Sequence, residues 1–405
     1  MPSPKLPKSR AGLIVLLGSM AALGAVAGDI YLPSLPDIAA DLGASRAWVQ
    51  STVTATLAGG ALGQLVVGPL SDRFGRRAPV LVGVALHVAA SIAIVFTPNV
   101  GVLIGLRVAQ GVGNASAQVV SMAIIRDLHS GYKAAKLLSR LVLVVGVAPL
   151  AAPTLGAVLA GLGSWRYTFV FLAAFGVALG LFIFFRVPDT RPAEARAAAS
   201  GLGRAFGAYW TLLRDYRFMG FALVPGLAMS TMMAWVISSP YLVQVRYGQS
   251  SGVFGLVFAL CGLFLVAGAQ VNAAVVHRFH PRRLLMAVLP VELGFALAGL
   301  TFSFLDWGGL WGMVAGVAGM VFANGFVPGN ASDLALARHG DNAGASAAMI
   351  GFVQAGCSAG VMALLSWMGD TQRDMTAVQS GALALALVIV LVGGASRGRS
   401  AALSR

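Results

Sequence analysis

Gly68-Pro69-Leu70-Ser71-Asp72-Arg73-Phe74-Gly75-Arg76-Arg77 carries one acid and three bases within ten residues. On either side the chain turns apolar. Residues 46–70 and 79–97 each come close to the run of about 20 mostly apolar residues that a helix needs to cross a bilayer. The stretch therefore reads as a tight charged turn between two membrane helices, and the fold depends on how often that pattern recurs.

Composition favours many recurrences. Of 405 residues, 58% are hydrophobic and only 10% charged, with a mean hydropathy of +0.83; soluble proteins are about 25% charged. The 28 Lys and Arg and 14 Asp and Glu residues cannot cover the surface of soluble domains. The net charge of +14 could indicate nucleic acid, but the bases sit in short clusters between apolar runs, as they do beside a membrane. A lipid bilayer is thus the expected environment and no nucleic-acid partner is expected. Cys261 and Cys357 lie inside apolar stretches, so neither a disulfide framework nor a zinc site is predicted.

Twelve apolar windows predict an all-α integral membrane protein: 11–35, 46–70, 79–97, 101–122, 138–161, 166–186, 217–243, 251–275, 283–304, 308–330, 343–367 and 376–394. The first, with Lys5, Lys8 and Arg10 before it and Ala25-Val26-Ala27 inside, could also be a cleaved signal peptide. Cleavage would leave an odd number of spans. With both termini on one side, that side holds 23 Lys and Arg and the other only Arg46, Arg166, Arg246 and Arg373. Both termini are therefore expected in the cytoplasm. The polar stretch 188–216 reads as a cytoplasmic linker between a half at 1–187 and a half at 217–405. At an offset of 206, Gln64, Arg76 and Arg77 fall on Gln270, Arg282 and Arg283. Two similar six-helix halves point to a transporter.

The charged turn resembles a motif of the major facilitator superfamily. The resemblance implies that Gly68, Asp72, Arg73, Gly75, Arg76 and Arg77 gate the cytoplasmic end, with Asp72, Arg73 and Arg77 paired with Asp127; by itself the turn could serve topology alone. The second-half copy has Arg278 where Asp72 stands in the first and is degenerate.

Arg107, Gln110, Asn114, Gln118 and Ser121 are spaced three or four apart, on one face of span four. A charge at mid-bilayer costs at least about 2.5 kcal/mol on insertion scales, so this face should avoid lipid and line a water-filled path. A purely structural arginine neutralised by carbonyls is the alternative. Arg107-Val-Ala-Gln110-Gly111-Val-Gly113 resembles the superfamily's fourth-span motif, which implies a part for Arg107 in proton transfer. Asp29, in Gly28-Asp29-Ile30-Tyr31-Leu32-Pro33-Ser34-Leu35-Pro36, is the second intramembrane charge and the candidate coupling acid. Should Pro33 and Pro36 end the helix early, it is instead a loop residue. Glu292, near the middle of span nine, is either a second proton site or a protonated structural carboxyl.

Gly146, Pro149, Pro153 and Gly156 share one face of span five and suit close helix packing. The segment resembles the fifth-span motif of proton-driven antiporters, and Gly163-Ser-Trp165-Arg166-Tyr-Thr-Phe169 extends the match. In that family this helix restricts leak. Together with Asp29-Ile-Tyr-Leu-Pro-Ser-Leu-Pro, Gly63-Gln64, Ile125-Arg126-Asp127-Leu128, Ala343-Gly344-Ala-Ser-Ala-Ala and Gln354, these motifs resemble the Bcr/CflA drug-resistance transporters over essentially the whole chain. That implies a multi-pass protein of the bacterial inner membrane, a drug substrate exchanged for protons, no cofactor and a monomer. Asp333 departs from the expected pattern, which has a small apolar residue there.

A cavity between the halves should use Tyr31, Gln64, Gln110, Asn114, Gln118, Met232, Trp235, Tyr241 and Gln354, together with Met229, Met233, Phe254 and Phe258; sulfur and aromatic surface suits varied apolar drugs. Taken singly, each could equally serve packing. His87, His129, His277, His280 and His339 show no metal spacing and no phosphate-binding loop occurs, which argues against an enzyme or a direct use of ATP. A channel would not need duplicated halves with gating turns. Export or symport of a small metabolite such as an amino acid or sugar is the remaining alternative.

Overall fold

The computed structural model describes residues 10–128, 137, 141, 151–190, 202–337, 343–369 and 371–402. Among them every regular element is helical, and eleven helical segments are long and apolar enough to cross a membrane. Ala151–Ala160 is the apolar helix described within the predicted fifth span; Gly146 and Pro149 lie outside the described residues. The chain divides into two compact units, Met1–Phe206 and Gly207–Arg405, with the boundary inside the stretch read as a linker.

The first unit comprises α1 (Arg10–Asp29), α2 (Leu35–Asp41), α3 (Arg46–Phe74), α4 (Arg77–Val95), α5 (Val100–Leu128), α6 (Ala151–Ala160) and α7 (Arg166–Arg186). Helix α5 packs against α1, α3 and α4, and α4 also packs against α7. The α3–α5 crossing is close because it is made of glycine: a β-carbon on Gly59 would strike the Val108 carbonyl, and one on Gly111 the Thr56 carbonyl. Small residues let backbones approach where no hydrophobic effect drives helices together.

The first span is not one helix. Helix α1 stops at Asp29, a 3₁₀ turn follows at Leu32–Ser34, and α2 continues the crossing to Asp41. Pro33 explains the stop: it has no N–H to offer the Asp29 carbonyl, and it disfavours helical geometry at Leu32. Asp29 thus lies at an interruption within the span, which joins both readings made of it from sequence.

The second unit comprises α8 (Leu202–Arg214), α9 (Tyr216–Pro240, continued by a π turn at Tyr241–Arg246), α10 (Ser251–Val275), α11 (Pro281–Leu305), α12 (Gly309–Asn324), α13 (Val327–Leu336), α14 (Ala343–Met368) and α15 (Gln372–Ala402). Helix α8, which begins before the unit boundary, was not foreseen in the linker. Helix α9 packs against α13, α14 and α15, and α11 against α12 and α15. The predicted tenth span is again two helices, α12 and α13, broken at Gly325-Phe326 ahead of Pro328. The offset of 206 now has structural meaning, since it carries the span Arg166–Arg186 onto Gln372–Val392.

Candidate functional site

The break in the first span gathers several of the singled-out residues. Arg107 is fully buried, and its Nη1 donates to the Ala27 carbonyl at 3.1 Å and to Gln110 Oε1. Ala27 lies in the last turn of α1, where the carbonyl ends of a helix favour a cation. The guanidinium carbon stands 4.1 Å from the centre of the Tyr31 ring and 5.8 Å from that of Phe169. Tyr31 is held in turn by Thr52, with 3.0 Å between hydroxyls. Asp29 is half-buried beside this cluster and feels the Arg107 charge. Gly156 closes the other side: a β-carbon there would collide with the Ile30 carbonyl, so only glycine lets α6 approach the interrupted backbone. Pro153, three residues earlier, is buried.

Gln110 extends the cluster. Its Nε2 donates to Ser91 Oγ at 2.7 Å, and Ser91 donates to the His87 carbonyl at 2.7 Å. Asn114 Oδ1 lies 2.7 Å from His87 Nδ1, while His87 Nε2 lies 3.3 Å from the Leu172 carbonyl. Gln118 accepts from Gln64 at 3.4 Å, and Ser121 bonds its own helix at the Gln118 carbonyl. The spacing predicts a water-filled path along this face of α5; Arg107, Gln110 and Asn114 instead lie inside the unit, and only Gln118 is half-buried. Arg107, Gln110 and Asn114 are buried in a hydrogen-bonded chain that ties α5 to α1 and α4. Buried polar side chains persist in this way only when most of their groups find partners. Two guanidinium nitrogens of Arg107, Nε and Nη2, have no hydrogen-bond partner. Sequence reasoning missed His87, Ser91 and Thr52. The signal for the first two was their i, i+4 spacing in an otherwise apolar span.

At the α3–α4 turn the hub is Arg76. Its Nε and Nη2 clasp Asp127 at 2.8 and 3.1 Å, and Nη1 reaches Asp72 and Ser71 at 2.8 Å each. Its backbone N–H donates to Asp189 at 2.9 Å, and Thr190 donates to Asp127 at 2.8 Å. Burial opposes the Arg76 charge, but the hydrogen bonds and charges of Asp127 and Asp72 outweigh it and hold its pKa above the ordinary value. Gly75 permits the turn with φ 86°, and a β-carbon there would run into the Asp189 carboxylate. Gly68 accepts from Ser71 at 3.0 Å. The pairing of Arg73 and Arg77 with Asp127 gives way to Arg76, which lies one turn beyond Asp72. Arg73 is exposed over the Phe74 ring, and Arg77 donates to the Phe184 carbonyl at 2.7 Å. Asp189 and Thr190, just past α7, were not singled out from sequence.

At the opposite end of this unit, Arg166 Nη1 and Trp165 Nε1 both donate to Asp41 Oδ2, at 2.7 and 3.1 Å. The Trp165-Arg166 pair of the extended motif is thereby tied to the end of α2.

In the second unit Trp235 is buried with no hydrogen-bond partner for its indole N–H, Tyr241 opens the π turn, and Met232 and Gln354 are half-buried. Glu292 is fully buried. One of its oxygens accepts from Asn324 Nδ2 at 2.8 Å, the other has no partner, and Asn324 also donates to the Ala228 carbonyl at 2.9 Å. Asp333 is exposed on α13. No cluster of three metal-ligating side chains occurs among the described residues.

Comparison with known proteins agrees with this architecture. The chain is 35% identical over 349 residues to an uncharacterised MFS-type transporter, YdgK, of Bacillus subtilis, covering 85% of this chain and 86% of that protein. It is 29% identical to a bicyclomycin resistance protein homolog of Haemophilus influenzae, covering 91% and 92%. It is 32% identical to the multidrug resistance protein MdtL of Salmonella schwarzengrund, covering 80% of each. The fold matches the partially occluded inward-open xylose transporter XylE of E. coli with a TM-score of 0.71 at 13% identity, over 94% of this chain and 95% of that one. Residues 16–363 match the Major Facilitator Superfamily, and the chain belongs to that family of membrane transporters.

Proposed function

We propose that this transporter is a proton-coupled antiporter of the bacterial inner membrane. It exports drugs of the chloramphenicol, bicyclomycin or sulfonamide kind by alternating access, as the Bcr/CflA resemblance implies. The observation that carries this reading is the interrupted first span, where a carboxyl group, Asp29, stands next to a buried guanidinium fixed on the α1 carbonyl end. In this reading Asp29 takes up the coupling proton as drug leaves, and Arg107 sets the electrostatics of that exchange. The Arg76 hub gates the cytoplasmic end, with both termini on that side. Pro153 and Gly156, with Gly146 and Pro149, restrict leak. Of the expected cavity residues, Gln110 and Asn114 are taken up by the buried hydrogen-bonded chain, and Tyr31, Gln64, Gln118, Met232, Trp235, Tyr241 and Gln354 contact the substrate.

The energetics suffice. One proton entering down about 100 mV supplies roughly 2.3 kcal/mol, and a gradient of one pH unit adds about 1.4 kcal/mol. Their sum supports a gradient of several hundredfold for a neutral drug exchanged one to one.

Everted membrane vesicles test the proposal through drug-induced proton release. Chloramphenicol, bicyclomycin or a sulfonamide should collapse the pH gradient in the wild type and fail to do so in Asp29→Asn. No response to any drug would favour export of a small metabolite. An equal response in the variant would move the proton site to Glu292 or Asp333.

A further inference from the structure

Helix α8 occupies a place that transport does not explain. Its 13 residues rise about 20 Å, too short for a bilayer core of about 30 Å. Only Asp215 separates it from α9, whose first residue, Tyr216, opens a membrane-spanning segment. The helix is therefore held within one residue of a bilayer surface. The linkage is stiff, because the Asp215 carboxylate caps α9 by accepting from the Arg217 and Phe218 N–H groups at 2.9 and 3.2 Å.

The two faces of α8 differ. Tyr209 and Leu212 are buried, at 7% and 2% exposure, whereas Trp210 and Leu213 are 58% and 45% exposed. Tyr216, just beyond, is 72% exposed. Each exposed aromatic carries a guanidinium: Arg214 lies 4.8 Å from the Trp210 ring, and Arg217 lies 5.6 Å from the Tyr216 ring while bonding its hydroxyl at 2.9 Å. Residues 202–214 contain no acid. Apolar surface edged by arginine and by amphipathic rings, one residue from a membrane span, matches the chemistry of an interfacial helix.

We propose that α8 lies in the membrane–water interface, with Trp210 and Leu213 turned into the lipid and Arg214 and Arg217 seating anionic lipid headgroups. The unit boundary falls within this helix. Anchoring α8 fixes the start of the second unit at the bilayer surface, whatever the substrate is.

The test uses the full chain with Cys261→Ala and Cys357→Ala, reconstituted into phosphatidylglycerol or phosphatidylcholine vesicles. A nitroxide is placed at position 213 or 211; on the helical wheel, Thr211 points nearly opposite to Leu213. At 213 the label should be accessible to oxygen, shielded from a water-soluble nickel complex, and about 5–10 Å below the headgroups. The label at 211 should favour nickel. Shielding at 213 should be severalfold stronger in phosphatidylglycerol, and Arg214→Gln with Arg217→Gln should remove that difference. Equal nickel access at 211 and 213 would overturn the proposal. Exclusion of both reagents at 213 would also overturn it, since protein, such as a second copy, would then cover the face. Indifference to lipid charge would overturn the headgroup site. Should the cysteine replacements prevent folding, quenching by brominated phosphatidylglycerol in the cysteine-containing chain should fall in Trp210→Phe; no fall would count against the proposal.

Discussion

The two units solve one structural problem with different chemistry. At the offset of 206, Asp41 and Arg166 of the first become Tyr247 and Gln372 of the second. Both pairs are bonded: Arg166 to Asp41 at 2.7 Å, and the Tyr247 hydroxyl to Gln372 Oε1 at 2.8 Å. A hydrogen bond at that point belongs to the scaffold, whereas the charge does not. The interior differs more. Arg107, Gln110, Asn114 and Gln118 correspond to Met313, Gly316, Met320 and Asn324, and Asp29 corresponds to Trp235. Of the hub, Asp127 has a counterpart in Asp333 and Arg76 in Arg282, but Arg278 replaces Asp72. The second unit thus keeps the helices but has neither charge of the Asp29–Arg107 pair. This difference fits the proposed placement of proton handling in the first unit.

Making the first unit resemble the second is the sharpest way to break this contrast. Arg107→Met copies Met313, and transport in proteoliposomes should fall to the level of empty vesicles while the protein remains in the membrane. Retained proton-driven export would remove charge in α5 from the mechanism. Arg76→Met leaves Asp127, whose side chain is only 17% exposed, without its main counter-charge. Breaking a buried pair in this way costs about 3 kcal/mol, to be read as a lowered unfolding temperature in detergent; an unchanged temperature would demote the hub. Glu292→Gln should keep the Asn324 bond and leave proton-driven export within about twofold, a small free-energy change. A large loss of coupling there would return proton handling to the second unit. The smallest effect is expected from Asp41→Tyr combined with Arg166→Gln, which copies the neutral pair. Because the ion pair is partly exposed, thermal stability should change by less than about 1 kcal/mol.

Much of this was legible in the sequence, because a bilayer enforces long apolar helices and polices charge. Eleven of the twelve predicted spans and the charged turn follow from that constraint alone. The interruption at Asp29 was half legible: Pro33 announced an end of helix, but not that α2 resumes and leaves the acid within the span. Arg76 was harder. Three arginines in five residues look alike in sequence, and the choice among them depends on Asp127 and Asp189, 51 and 113 residues away. Helix α8 was hidden for a related reason. Its apolar face alternates with arginine and lies in a polar stretch, so a search for spans passes over it.

The Arg76 clasp also bears on the order of events during synthesis. Arg76 and Asp127 can pair once α5 is made, but the contacts of Asp189 and Thr190 come from beyond α7, so the clasp is complete only when nearly all of the first unit has left the ribosome. Until then Arg76 and Asp127 lack those contacts, and a chain that stalls or mis-inserts a helix keeps them open. A late-completed contact of this kind distinguishes a finished first half from an unfinished one.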